Sequence, residues 1–204
     1  MKNRLLTLGC AIILLSSCSK VVEPPDVNEA PPPADVTANS KEYVQYTIKK
    51  GDQYSDKNGF LAVNYSELTF KVRFDSSAIY TTTDPANQKD VNKLFGFSDN
   101  NADHHVFSAR FGWRWSNNAL RLFAYTYNNS TLSLKEMGTV PIGSEATCSI
   151  KVTNNNYIFS LNKNATVTMP RLSKTPAGSG YQLFPYFGGN ETAPHDIKIC
   201  IKRI

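Results

Sequence analysis

Apolar and polar residues alternate with a period of two through most of the chain from residue 41 onward. The segment 68–74, LTFKVRF, is the clearest example, because its leucine, valine and phenylalanines share one parity and its polar residues the other. This alternation is typical of a β-strand that buries one face. Since no stretch follows the helical period for more than a turn or two, the pattern predicts an all-β domain.

Polar turn sequences separate the alternating segments. Asparagine is common in them, as in NN at 117–118 and at 128–129, and it tolerates the positive φ of tight hairpins. About a dozen short strands predict a two-sheet antiparallel β-sandwich, jelly roll or concanavalin A-like, with a closed barrel as the alternative. The predicted strands are 43–49, 68–74, 79–83, 93–97, 105–115, 119–127, 132–140, 147–152, 157–161, 166–169, 181–187 and 197–201.

The first 17 residues have the composition of an export signal. A basic start, MKNR, precedes an apolar run from Leu5 to Leu15 that is too short to span a bilayer, which takes roughly 20 apolar residues. The sequence LSSC that follows resembles the lipobox of bacterial lipoproteins. This implies a lipoprotein signal peptide over 1–17 and a lipidated Cys18, with an ordinary secretory signal as the alternative. We therefore expect a cell-envelope protein that lipid alone anchors to the outer membrane, on its periplasmic face or at the cell surface.

Residues 18–40 are rich in proline and in small and polar residues, and such a composition buries too little apolar surface to order the chain. We predict a disordered tether here, with an edge strand as the alternative. Residues 41–204 fit one domain. Removal of residues 1–17 takes two basic residues, so 22 − 2 = 20 basic residues face 17 acidic ones and the net charge is +3. This weak excess, without a basic run, argues against a nucleic-acid partner.

Two cysteines remain in the predicted domain, Cys148 and Cys200. An exported chain meets oxidising conditions in which they could pair. However, Cys148 shares its parity with the apolar Ile150, whereas Cys200 shares its parity with Lys198 and Lys202. The alternation places one thiol inward and the other outward, which argues against a disulfide, although a bulge in either strand would reverse that assignment.

Three segments of the C-terminal half resemble uncharacterised lipoproteins of the Bacteroidota. They are SARFGWRW at 108–115, AYTY at 124–127, and the stretch 183–197 with LFPYFGG at its start and APHDI at its end. The resemblance covers about residues 90–204. It implies a β-sandwich of jelly-roll or concanavalin A-like type and carries no activity with it.

The fifth and sixth predicted strands form a hairpin with two chemically different faces. The aromatic residues of one parity are expected in the core, which leaves Arg110 and Arg114 on the opposite face. The partner strand adds Arg121, Tyr125 and Tyr127 to that face. Aromatic rings cover the apolar faces of sugars and guanidinium groups bind carboxylates or hydroxyls in pairs, so this face predicts carbohydrate binding. The alternative is that these side chains stack across strands and only stiffen the sheet.

A loop before this hairpin offers oxygen ligands at alternate positions, Asp99, Asn101 and Asp103. This spacing suits a hard cation, and a structural calcium ion is the one cofactor we consider. An EF-hand is excluded, because His104 stands where the turn glycine belongs and Arg110 where the bidentate glutamate belongs.

His104 and His105 follow that loop and raise the question of a transition metal. Neighbouring residues on a strand face opposite ways, so we expect the two rings not to share one ion. No spacing of Cys and His supplies the three or four ligands that zinc requires. A solvated loop is the expectation.

The candidates for catalysis are His104, His195 and Tyr186, with Arg110 or Arg114 available to neutralise a uronate. Jelly-roll polysaccharide lyases use such groups, but their Gln-Ile-His and arginine-rich strand motifs are absent. Glycoside hydrolysis needs two carboxylates at a fixed separation, and no strand offers a pair. We therefore expect a lipid-anchored, non-catalytic glycan-binding protein. The alternatives are a lyase or hydrolase of the same fold, and a structural or adhesion protein that binds a protein partner.

Overall fold

The computed structural model describes residues 43–204, which form twelve β-strands and two short 3₁₀ helices. The predictions for the signal peptide, Cys18 and the tether lie outside these residues. The strands are β1 Val44–Ile48, β2 Ala62–Tyr65, β3 Glu67–Phe74, β4 Asn92–Ser98, β5 Phe107–Ser116, β6 Ala119–Asn128, β7 Thr131–Val140, β8 Glu145–Val152, β9 Asn156–Leu161, β10 Ala165–Pro170, β11 Gly178–Leu183 and β12 Ile197–Arg203. The 3₁₀ helices are Ser76–Ala78 and Pro85–Lys89.

The strands pair into two antiparallel sheets of six strands each. The first sheet has the order β1-β12-β3-β8-β9-β10, and the second has the order β2-β11-β4-β5-β6-β7. The predicted two-sheet antiparallel β-sandwich is therefore confirmed, and the closed barrel is not formed. Within residues 43–204, no helix is both long and apolar enough to cross a membrane.

The alternating pattern explains why the two sheets stack face to face. In β3 every second residue is buried, starting with Leu68, and the residues between them are half-buried or exposed. The ring of Phe70 from the first sheet packs edge to face on Phe95 and Phe111 of the second, at centroid distances of 5.2 and 5.7 Å. Each fully buried side chain of this size contributes about 1.5–3 kcal/mol to folding. Because the rings are in contact across the interior, they also set the distance between the two sheets.

The turns follow the asparagine pattern. Asn117 and Asn118 connect β5 to β6, and both have positive φ, 53° and 52°. A two-residue hairpin of this kind needs positive φ at both positions, which asparagine adopts at low cost. The tight turn joins β5 and β6 in one continuous ladder of ten residue pairs, and this ladder carries the predicted binding face.

The structure differs from the strand predictions at four places. Residues 79–83 form no strand but connect the two 3₁₀ helices, β2 was missed, and β5 begins at Phe107 rather than at 105. The predicted strand 181–187 stops at Leu183, because Pro185 has no N–H for a ladder hydrogen bond.

The two cysteines are free, and their side chains lie on opposite sides of the first sheet, as the alternation predicted. Cys148 lies in the core, paired in register with Phe70. Cys200 lies between Gln45 and Arg73 of the flanking strands and is only 4% exposed. Burial raises the pKa of both thiols, which keeps them protonated and unreactive at neutral pH.

Candidate functional site

A cavity of about 580 Å³ lies on the outer face of the second sheet, over β4, β5, β6 and β11. Three of the five predicted binding residues line it, Arg110, Tyr125 and Tyr127. The register explains the grouping, because Arg110 pairs with Tyr125 and Ser108 pairs with Tyr127, and paired residues face the same way. The predicted face therefore exists, and part of it lines a concave site.

Arg110 forms the floor of the cavity and is only 6% exposed. Its Nη2 donates a hydrogen bond of 2.8 Å to the carbonyl of Phe184, while its buried Nε has no partner among residues 43–204. Burial lowers the pKa of Arg110 to about 10, and the opposing contributions come from Tyr125 and Tyr181 rather than from a carboxylate. A buried cation without a counter-charge is costly, so this side chain is prepared for an anion.

The residues lining the cavity, all within the described range 43–204, include no aspartate or glutamate. They do include a second cation, Lys93, which the sequence reasoning did not select. Its Nζ lies 5.3 Å from the centroid of the Tyr186 ring and donates a hydrogen bond of 2.5 Å to the carbonyl of Gly188. Burial, followed by repulsion from Arg110, lowers the pKa of Lys93 to about 8.

A bulge in β4 explains how Lys93 reaches the cavity. The register with β5 shifts between Lys93, which pairs with Gly112, and Gly96, which pairs with Arg110. The extra residue sends both Leu94 and Phe95 into the core and returns the strand to the outer face at Gly96. A strict period of two cannot locate such a bulge, because it assigns Lys93 to the same face as the buried Phe95 and Phe97.

Aromatic side chains form the walls of the cavity. Tyr54 and Tyr186 meet edge to face at 4.9 Å, Tyr125 and Tyr127 lie 5.9 Å apart, and Phe60 lies 5.9 Å from Tyr181. Phe60 is 83% exposed, which is unusual for a phenylalanine and leaves its ring available to a ligand.

Tyr181 and His104 form a hydrogen-bonded pair in the cavity. The Tyr181 Oη lies 2.8 Å from Nδ1 of His104 and accepts a hydrogen bond of 3.1 Å from the backbone N–H of the same residue. Burial, followed by repulsion from His105 and Arg110, lowers the pKa of His104, so its ring is neutral at pH 7. Burial raises the pKa of Tyr181, so the phenol keeps its proton.

Arg114 and Arg121 share the outward face of Arg110 but lie outside the cavity. Arg114 lies over the ring of Phe123 at 4.8 Å and donates to the carbonyl of Lys89 at 2.5 Å. Arg121 pairs with Glu136 at 2.7 Å. The buried Nε of Arg114 has no partner among the described residues, as is the case for Arg110, but both Arg114 and Arg121 contact protein groups outside the cavity. This fits the alternative reading that side chains on this part of the face stiffen the sheet.

Two of the three candidates for catalysis lie in the cavity and one lies outside it. His104 and Tyr186 line the cavity, whereas His195 lies outside it with Nε2 2.9 Å from the carbonyl oxygen of Ser77. The neighbouring Asp196 does not orient His195, because its carboxylate accepts hydrogen bonds from Lys49 Nζ and the Lys50 N–H, both at 2.9 Å.

The structure does not bring the predicted calcium ligands together. Asp99 is fully buried and pairs with Arg171, whose Nε lies 2.8 Å from its Oδ2, while the Tyr157 hydroxyl donates to the same oxygen at 2.5 Å. Asn101 and Asp103 are exposed. Because both oxygens of Asp99 accept several hydrogen bonds, its carboxylate serves the fold and leaves no position for a cation.

The prediction that His104 and His105 face opposite ways was wrong, because both residues lie in a turn before β5. Their rings are 4.1 Å apart, and together with Asp103 they offer ligand atoms within 4.8 Å of one another. Such a set could bind a transition metal, but Nδ1 of His104 is already hydrogen-bonded to Tyr181.

The two six-stranded antiparallel sheets, together with the similar solved structures described below, place the domain among the jelly-roll sandwiches of the concanavalin A-like type. No known family model matches the chain, and no characterised protein sequence matches it either. The two packed antiparallel sheets confirm the β-sandwich that the resemblance to Bacteroidota lipoproteins implied, while membership of that group stays a prediction.

Several solved structures are similar in fold at low sequence identity. A GH16 protein of a mixed linkage glucan PUL from Bacteroides ovatus, in complex with the product G4G4G3G, is 13% identical over 79% of this chain and 81% of that chain, with a TM-score of 0.51. The alginate lyase AlyC3 in complex with dimannuronate is 12% identical over 80% and 73%, with a TM-score of 0.53. The catalytic domain of an endo-1,3-beta-glucanase (laminarinase) from Thermotoga petrophila is 9% identical over 79% and 75%, with a TM-score of 0.52.

Proposed function

We propose that this protein binds an acidic carbohydrate in the cavity of the second sheet and does not cleave it. The observation that carries the proposal is the buried guanidinium of Arg110 in a cavity whose lining, within residues 43–204, has no carboxylate. A carboxylate or sulfate on the sugar would supply the missing counter-charge and accept a hydrogen bond from the unpartnered Nε.

The aromatic walls support a sugar rather than a small inorganic anion. Pyranose rings present flat apolar faces that pack on tyrosine and phenylalanine, and their hydroxyls bond to phenolic oxygens and backbone groups. Phe60 precedes β2, whereas Tyr125 and Tyr127 lie on β6, and three strands of the sheet separate β2 from β6. A ligand of more than one sugar unit would contact both.

Attachment to the outer membrane through lipidated Cys18 and a tether over 18–40 belongs to the same proposal. A lipid-anchored binding protein on a spacer retains polymeric material near the envelope, which suits a cavity open at the surface of the sheet. Incorporation of radiolabelled palmitate by the full chain, and its loss in Cys18→Ala, tests this part separately.

A polysaccharide lyase is the second candidate, and one observation favours it. The Tyr181 hydroxyl and the His104 ring lie 2.8 Å apart in the cavity that also contains Arg110. In a lyase reaction Arg110 would neutralise the uronate carboxylate, and the pair would take the C5 proton and protonate the leaving oxygen. AlyC3, which shares the fold, was solved with dimannuronate, an acidic disaccharide. A hydrolase has less support, because the lining offers no pair of carboxylates.

A glycan array tests the binding proposal when each acidic glycan is printed beside its neutral counterpart. We expect retention of acidic glycans and loss of retention when the carboxyl group is reduced to an alcohol. Retention of neutral glycans alone would contradict the proposal. Absorbance near 235 nm, recorded on the retained uronate polymers, separates the two candidates, because only a lyase forms the unsaturated product.

A further inference from the structure

We propose that Lys93 is the second cationic contact for the acidic group of the sugar, and that binding is coupled to the uptake of a proton by its amine. This inference rests on the proposed function and adds a residue and a pH dependence to it. It concerns the ammonium group on the bulged strand β4, which lies beside the guanidinium on β5.

The geometry brings the two cations into one cavity from neighbouring strands. Lys93 pairs with Gly112 and lines the cavity with Arg110, so both side chains extend over the same face of the sheet. The Lys93 amine bonds to a neutral acceptor, the carbonyl of Gly188, and not to a carboxylate. An anion lying between the amine and the guanidinium would contact both.

Most of the groups that surround Lys93 destabilise its charged form. Arg110 on β5 repels it, the Tyr186 ring after β11 covers it, and Asp90 before β4 provides the one favourable charge, outside the cavity lining. Burial lowers the pKa of His104, and repulsion from Arg110 and Lys93 adds to this effect. The His104 ring is therefore neutral at pH 7 and adds no charge. Desolvation and repulsion from Arg110 together lower the pKa of Lys93 to about 8.

Thermodynamic linkage then determines the pH dependence of binding. A bound anion stabilises the ammonium form, so it raises the pKa of Lys93 in the complex above the value in the free protein. Below pH 8 the amine is already charged and affinity is constant. Above pH 8 the amine must gain a proton on binding, so affinity falls by about tenfold from pH 7 to pH 9 while the bound amine remains charged.

Isothermal titration calorimetry tests this with the full chain and with tetrasaccharides of mannuronate, guluronate and galacturonate at pH 7, 8 and 9. Buffers of different ionisation enthalpy give the number of protons taken up. The variants are Lys93→Met, which removes the charge, and Lys93→Arg, which keeps a charge at every pH used. Lys135→Met serves as the control for net charge, because Lys135 is exposed on β7 outside the cavity. Thermal unfolding of each variant confirms that it is folded.

We expect the wild type and Lys135→Met to take up about one proton per tetrasaccharide at pH 9, with the tenfold fall in affinity. Lys93→Arg should bind without pH dependence, and Lys93→Met should bind weakly at all three pH values. If the wild type binds but shows no proton uptake, or if Lys93→Met keeps the wild-type pH dependence, the inference is overturned and the proposed function stands. If no tetrasaccharide binds the wild type, the proposed function is overturned and the inference with it.

Discussion

Arg110 and Arg114 lie on the same outward face of β5, with Gly112 between them on that face, but only Arg110 lines the cavity. Each donates one hydrogen bond to a backbone carbonyl, and each has a buried Nε without a partner among residues 43–204. They differ in their surroundings, because Arg114 lies over the ring of Phe123, whereas Arg110 lines the cavity among tyrosines. Two residues of the same type, on the same strand and face, therefore form a matched pair in which one is prepared for a ligand and the other supports the sheet.

Stability should distinguish the two arginines. We expect Arg110→Met to be as stable as the wild type or more stable by about 1–2 kcal/mol, because methionine fills the space without burying an unpaired charge. Arg114→Met should lose about 1 kcal/mol with its hydrogen bond and ring contact. Urea unfolding at pH 7 measures both. A large loss of stability in Arg110→Met would show that the buried guanidinium holds the sheet together.

Gly96 should be required for the shape of the cavity floor. A Cβ at this position would lie 2.3 Å from the backbone carbonyl oxygen of Ala109 and from the Cα of Arg110, so Gly96→Ala forces β4 away from β5. We expect a loss of about 1–3 kcal/mol and weaker glycan binding. Gly59→Ala is the control for stability, since nothing lies within 4 Å of its Cβ. Thermal unfolding of both variants and glycan binding by Gly96→Ala at pH 7 check this, and equal stability of the two variants would refute it.

The buried pair of Asp99 and Arg171 should be a major structural contact. Asp99→Asn leaves the Arg171 guanidinium buried without a counter-charge, which costs about 3–5 kcal/mol. Glu145→Gln, at a more exposed pair with Lys71 and Arg73, should cost about 1 kcal/mol or less. Urea unfolding at pH 7 compares the two variants, and a smaller loss in Asp99→Asn than in Glu145→Gln would contradict the assignment.

The same pair predicts a pH dependence of stability. Burial raises the pKa of the Asp99 carboxyl, but hydrogen bonds from Arg171 and Tyr157 outweigh it and leave the pKa below its ordinary value. The carboxylate therefore contributes its full stability above the unfolded-state pKa of about 3.9, and this contribution is lost as the pH falls through the lower folded-state value. The gap between wild type and Asp99→Asn should shrink below about pH 4, and a gap that stays constant down to pH 2 would argue against it.

Tyr181→Phe separates binding from cleavage. If the protein only binds, removal of the hydroxyl that contacts His104 should change the affinity for a uronate tetrasaccharide by no more than about tenfold, the loss of one hydrogen bond. Neither the wild type nor the variant should then raise the absorbance near 235 nm. A rise with the wild type that disappears in Tyr181→Phe would establish the lyase alternative.

The fold was predictable because its main signal is local. Alternation identified the strands that bury one face, and paired asparagines such as Asn117 and Asn118 marked a hairpin turn that the structure confirms. The outward face of β5 and β6 followed from parity alone. Parity alone could not predict the bulge that turns Lys93 toward the cavity. It also could not predict the contact between Tyr181 on β11 and His104.

Several site residues have surroundings that the sequence pattern did not indicate, because those surroundings depend on contacts between segments. Asp99 has the spacing of a calcium ligand, but its partner Arg171 lies 72 residues away in sequence. The predicted strand began at His105, but the turn continues to Val106 and β5 begins at Phe107, so the two histidine rings lie together in that turn. Arg114 and Arg121 looked equivalent to Arg110 until their partners Lys89 and Glu136 were known.

The most direct test of the proposed function is calorimetric titration of one uronate tetrasaccharide into the wild type, Arg110→Met and Arg114→Met at pH 7. We expect Arg110→Met to lose at least about tenfold in affinity, because a charge-assisted contact of about 1.5–3 kcal/mol disappears. Arg114→Met should bind within about twofold of the wild type, since its guanidinium lies outside the cavity. Equal losses in the two variants, or undiminished binding by Arg110→Met, would contradict a ligand site built on Arg110.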